Sequence, residues 1–251
     1  DFIHILGSVL DLGVPSDDTV STAKISANAV TAAKFNADVI SGQTALATAP
    51  ADTDEFLVSD AGVLKRIDYS LIKGGGMYEF ISTTDVTSGV AQVDFTSFST
   101  DYSDFHLVIQ NIVTTTDAQE LKLRFFNNAG SIVDGSSYQW SFHGADTGSI
   151  QNDSNGSNTD HAQLGRAIGN ASRESANYEI TMYDVHFTDD WRQFKFSQVY
   201  PNAAGEFGFQ NGGGFSKYNN SDNFSISGVR IFWNSGNIAS GRFSLYGRKH
   251  S

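Results

Sequence analysis

The sequence predicts an all-β protein with an N-terminal fibrous stalk and a C-terminal antiparallel β-sandwich or jelly-roll head. Three observations carry this. Of 31 aromatic residues only Phe2, Phe35, Phe56 and Tyr69 precede Met77, and aromatics supply the largest buried area per residue. From residue 89 onward, apolar and polar residues alternate in run after run, the period of a half-buried strand. Near the N-terminus a large apolar residue instead recurs at every fifth position.

Composition narrows the classes. The 251 residues suffice for one large all-β domain or two smaller units. Only 18% are charged, and the abundance of Ser, Thr, Asn and Gly suits turns better than long helices. A net charge of −12 argues against binding nucleic acid through its phosphates, which takes clustered Lys and Arg. Cysteine is absent, which excludes disulfides and thiolate metal sites. No run reaches the roughly 18 apolar residues that span a bilayer, so membrane insertion is not expected. The opening DFIHILGSVLDLGV carries Asp1 and Asp11 and no basic segment, which makes a poor signal peptide. It also lacks an initiator Met, so a processed chain or a piece of a longer one is expected.

Residues 1–46 form the anchor and stalk. In TVSTAKISANAVTAAKF (19–35) two decapeptides nearly repeat, and Val20, Ile25, Val30, Phe35 and Ile40 fall five residues apart. On a helix five residues advance about 140° net, which scatters these side chains around the cylinder. On a strand, odd spacing alternates faces. Neither element collects them into one stripe. Short units repeated along an axis, burying apolar groups against neighbouring chains, fit the pattern; a linker with an accidental repeat is the competing reading. Residues 47–76 follow as an adaptor with one short apolar run, FLVS (56–59), and end in the hinge Gly74-Gly75-Gly76.

Residues 77–251 form the head. Strands are predicted in 89–98, 105–112, 119–126, 138–143, 178–187, 191–199, 224–233 and 241–247. In QELKLRFF, for example, Leu121, Leu123 and Phe125 face a core while Lys122 and Arg124 face water. No amphipathic helix intervenes, which argues against βαβ units. Residues 144–176 read as a long exposed loop.

Three segments carry a family resemblance. ISGQTALATAPADTDEFLVSDAGVLKRIDYSLIKG (40–74) resembles a module of structural proteins of tailed bacteriophages, notably those of marine bacteria and cyanobacteria. VSTAKISANAVTAAKF resembles the repeats of phage fibre shafts. SGRFSLYGRKH (240–250) resembles the ending of phage fibre and virion-decoration domains, with Arg242 and Arg248 where uncharged or apolar residues are commoner. The resemblance implies a homotrimer: a trimeric stalk bound to other virion proteins through its N-terminal region, and a distal β-domain that contacts the host or decorates the particle. It places the protein on the virion exterior, assembled in the host cytoplasm. A tail fibre with a host-receptor-binding head is the first expectation and a capsid fibre or cement protein the alternative.

Candidate sites are few. GEFGFQNGGGFSKYNN (205–220) sets Phe207, Phe209, Phe215 and Tyr218 among glycines. Exposed, these rings would stack on sugars of a cell-surface glycan; alternatively they pack inward from two short strands. Trp140, Trp191 and Trp233 read as core. The histidines at 4, 106, 143, 161, 186 and 250 lack metal-ligand spacing, and His106, His143 and His186 fall in predicted strands. DSNGSNTD (153–160) offers Asp153, Asn155, Ser157, Thr159 and Asp160 as oxygen donors, but its Gly comes at the fourth position and residue 164 is Leu, unlike a calcium loop. No metal or cofactor is expected. Asn-x-Ser sequons at Asn152, Asn155, Asn170, Asn219 and Asn223 read as polar loops in a phage protein. An enzyme is not expected. A polysaccharide depolymerase would need paired carboxylates, for which Asp184, Asp189 and Asp190 are candidates.

Overall fold

A computed structural model describes residues 20–27, 29–31, 34, 36, 38–73, 76–147, 149–150, 154–187, 191–201, 207–217 and 225–249. The chain divides into two compact units, 1–73 and 74–251.

The first unit holds little regular structure. A 3-10 turn covers Thr22–Lys24 and a single helical turn, α1, covers Asp38–Ser41. Strands β1 (Glu55–Asp60) and β2 (Val63–Asp68) make a hairpin, followed by a second short helix, α2 (Tyr69–Ile72). Ala61 and Gly62 between the strands both take positive φ, 49° and 84°, the two left-handed positions that match a tight turn to strand twist. None of the described residues of this unit is buried. Val20, Ile25, Val30 and Ile40 are all exposed; Phe35 lies outside the described residues.

The second unit is built of antiparallel strands: β3 (Glu79–Val86), β4 (Gln92–Thr96), β5 (Asp104–Thr114), β6 (Leu121–Asn127), β7 (Tyr138–Asp146), β8 (Ser149–Ile150), β9 (Ser154–Thr159), β10 (Ala162–Gln163), β11 (Ala176–Met182), β12 (Arg192–Pro201), β13 (Phe207–Ser216), β14 (Ile226–Trp233) and β15 (Ile238–Arg248). They form two sheets. The large one runs β3-β15-β5-β11-β12-β13-β7, with β8 and β9 both pairing the far edge of β7; the small one runs β4-β14-β6-β10. Between them lies one hydrophobic cluster, a β-sandwich core. On β12, Phe194 and Phe196 enter it while Gln193 and Lys195 stay exposed. Phe125 of the small sheet meets Phe194 of the large one edge to face, with centroids 6.1 Å apart.

The expected strands are present with several corrections. The strand expected over 178–187 stops at Met182, because Asp184 takes a positive φ of 42° and Phe187 N–H bonds back to Asp184 O, which closes a turn. His186 therefore sits in a turn and not a strand. The expected exposed loop over 144–176 contains β9 and β10, and its Ala162, Leu164 and Ile168 are core residues. The glycine-rich segment near 210 is one strand, β13, in place of two. Strand β3 lies where none was expected. Trp140 and Trp233 are buried, but Trp191 is 47% exposed, because it shares the outward parity of Gln193 and Lys195 and not that of Phe194 and Phe196.

Candidate functional site on the outer face of the large sheet

Side chains that alternate into the core leave their neighbours on the opposite face. For β12 and β13 the outer set is odd-numbered, and register aligns it across the sheet. Lys195 lies opposite Thr181 on β11 and Gly213 on β13; Gly213 lies opposite Ser141 on β7, and Ser141 opposite Asn155 on β9. On the other side Thr181 lies opposite His106 of β5. A second row runs from Glu179 through Ser197 and Asn211 to His143. These two rows are thus lined by hydroxyls, amides, two imidazoles and one charge of each sign.

Two of the grooves that indent the face lie along the first row. One, of about 510 Å³, is lined by Tyr78, His106, Glu179, Thr181, Lys195 and Asn211, among others. The Tyr78 and His106 rings lie 5.2 Å apart, and His106 Nδ1 is 3.1 Å from Thr181 Oγ1. Burial holds the His106 imidazole below its ordinary value, while Glu179 works against that shift and Lys195 adds to it. The other groove, of about 450 Å³, is bordered by Gln139, Ser141, Asn155, Ser157, Gly213 and Phe215. Trp191 stacks on Phe215 with centroids 4.6 Å apart and an angle of 20° between planes. Gly213 is required by the backbone: a Cβ there would sit 2.6 Å from the Phe194 carbonyl oxygen.

The expected ligand contacts separate into two patches. Phe207 and Phe209 lie side by side on the outer face of β13, 56% and 38% exposed, with Val199 opposite Phe209. Phe215 shares that face but lies about 20 Å further along the strand at ~3.3 Å per residue. It is half-buried under Trp191. Tyr218 lies outside the described residues.

The remaining candidates do not assemble. Asn155 and Ser157 sit on β9; Thr159 Oγ1 is held by Trp140 Nε1 and by the carbonyls of Tyr138 and His161. Asp160 pairs with Arg124 and His161. A strand cannot wrap these donors around an ion, and Asp153 lies outside the described residues. Among the described residues no group of three or more potential ligands could hold a metal. His161 is held below its ordinary value by burial and by the charge of Lys122; His186 Nε2 faces Ser99 O at 3.0 Å. His4 and His250 fall outside the described residues, as do Asp189 and Asp190. Asp184 lies in the turn after β11, where its N–H donates to Asp104 Oδ1 at 2.8 Å. Of the sequons, Asn155 is exposed and Asn170 Nδ2 donates to Thr115 O; Asn152, Asn219 and Asn223 lie outside the described residues.

His106, Thr181, Lys195, Asn211 and Ser141 escaped the sequence reading as a set, since only register joins them. Each occupies a polar position of an alternating strand, which was the available signal. Comparison with known protein families, curated proteins and solved structures returned no match.

Proposed function

We propose that this is a structural, non-enzymatic virion protein: a homotrimeric bacteriophage tail fibre. Its N-terminal region attaches to other virion proteins and its C-terminal β-domain binds a host receptor, a cell-surface glycan being the class that the outer face suits. The carrying observation is the contrast between the two units. Residues 74–251 contain a complete core, whereas the first unit exposes Val20, Ile25, Val30 and Ile40 and buries none of its described residues. Apolar groups in that number call for cover, and further copies of the same chain supply it with the least added mass.

Strand order supports a jelly-roll reading of the head. The pairs β3–β15, β4–β14, β5–β11 and β6–β10 are the four nested pairs of an eight-stranded roll. On that reading β7–β9 and β12–β13 are insertions that widen one sheet, and the widened part carries both grooves. The proposed location, which follows from the resemblance to phage fibre modules, is the virion exterior, with assembly in the host cytoplasm.

Light scattering on the full chain is expected to give the mass of three 27.1 kDa chains; a monodisperse monomer at micromolar concentration overturns the stalk. Immunogold labelling of particles is expected to mark the tail, and label over the capsid shell would move the protein to the decoration class.

A further inference from the structure

We infer that the outer face of the large sheet is a binding track for a linear, uncharged oligosaccharide lying across the strands. The inference rests on the reading of the head as the receptor-binding part and names the ligand and its path.

The path is the row His106, Thr181, Lys195, Gly213, Ser141 and Asn155, one residue from each of six adjacent strands in register. At about 4.8 Å between strands the row is roughly 24 Å long, a length suited to several sugar units. Gly213 leaves its midpoint without a side chain, and the two grooves open on either side of it. The lining chemistry is that of sugar recognition. Hydroxyls and carboxamides, which both donate and accept, match the hydroxyls of a sugar. Tyr78 beside His106 and Trp191 upon Phe215 place aromatic rings at the two grooves, and rings pack against the apolar face of a pyranose.

Charge selects against other polymers. Lys195 is the one Lys or Arg among the residues lining these two grooves, Glu179 lies in the same groove as Lys195, and burial holds the His106 imidazole below its ordinary value. On a chain of net charge −12 these two grooves offer little to a polyanion. Nucleic acid and acidic capsular polymers are therefore disfavoured, and neutral glycan remains.

The test uses the full chain on an array of neutral and acidic bacterial oligosaccharides of graded length, with the best neutral binder then titrated in solution. Neutral glycans are expected to bind, the longer ones more tightly. Ser141→Trp, which fills the second groove from an exposed position, and Trp191→Ala, which removes the ring platform, are each expected to weaken binding about tenfold or more with the near-ultraviolet dichroism of the fold retained. Preferential binding of acidic glycans, or unchanged affinity in both folded variants, overturns the track. So does a fall in oligomer mass with Ser141→Trp, which would make this face an interface between copies. If no array glycan binds while the protein still adheres to host cells, the track is overturned and the receptor-binding reading stands. Loss of adhesion as well would remove both.

Discussion

The hydroxyl of Tyr138, on the large sheet, accepts the backbone N–H of Phe125, on the small sheet, at 2.8 Å, and donates to Val133 O at 2.9 Å. Tyr138 is wholly buried, so the phenol bridges the layers where β10 no longer reaches along β6. Tyr138→Phe keeps the ring and strands a buried N–H and C=O. It is expected to destabilise the protein by about 1–3 kcal/mol. Urea unfolding with an unchanged slope would read this out; a loss below about 0.5 kcal/mol would mean that the bridge contributes little.

Burial also pushes the phenols of Tyr138 and Tyr178 well above their ordinary value of 10.0. The neutral phenol is the form the fold retains, and Tyr178 accepts from Gln198 Nε2 at 2.9 Å in that state. The unfolded chain ionises near pH 10, so the contribution is fully present below that pH and is lost as pH rises above it. Each phenol is expected to remove about 1.4 kcal/mol of stability per pH unit in that range. The absorbance of tyrosinate, followed through an alkaline titration, should show these two rings ionising only together with unfolding. Their ionisation in the native state would contradict the burial argument.

The arginines that set this C-terminus apart from its phage resemblance have separate partners of unequal depth. Arg242 pairs with Asp85 at 2.7 Å, both in solvent, whereas Arg248 pairs with the buried Asp104. Exposed pairs are screened and contribute little, so Arg242→Ala is expected to leave stability unchanged. Arg248→Ala removes a charged partner from a buried carboxylate. The part-exposed arginine tempers the loss, which is expected to be about 1–3 kcal/mol. Thermal unfolding of the two variants side by side checks the ranking, and equal effects would refute it.

Legibility followed the strength of alternation. Strand β12 was plain because Phe194 and Phe196 interleave with Gln193 and Lys195. In β3, an edge strand whose only buried residue is Val86, no face is apolar, and it passed unseen. In β13, Gly212, Gly213 and Gly214 erase the pattern, since close packing of backbone replaced side chains there. Composition marks the aromatics of β13, yet whether they face in or out depends on the register of β13 with β12, and no local pattern pairs Trp191 with Phe215. The outer row joins residues as distant as His106 and Gly213, and local sequence holds no record of such pairing.

The contrast between the units yields the last expectation. Every buried apolar side chain among the described residues lies beyond Val86 or is Val86 itself. Deleting residues 1–73 therefore removes no described core residue, and the remaining 74–251 is expected to unfold cooperatively at the midpoint of the intact protein's head. The deletion does remove the exposed Val20, Ile25, Val30 and Ile40, so the mass in solution is expected to fall to a single chain. In the full chain, Ile25→Asp with Val30→Asp should shift the same equilibrium toward monomer, because two charges would have to be buried wherever those side chains meet their copies. A truncated head that stays trimeric would place the assembly contacts in the sandwich, and the five-residue repeat would then lose its role as a stalk.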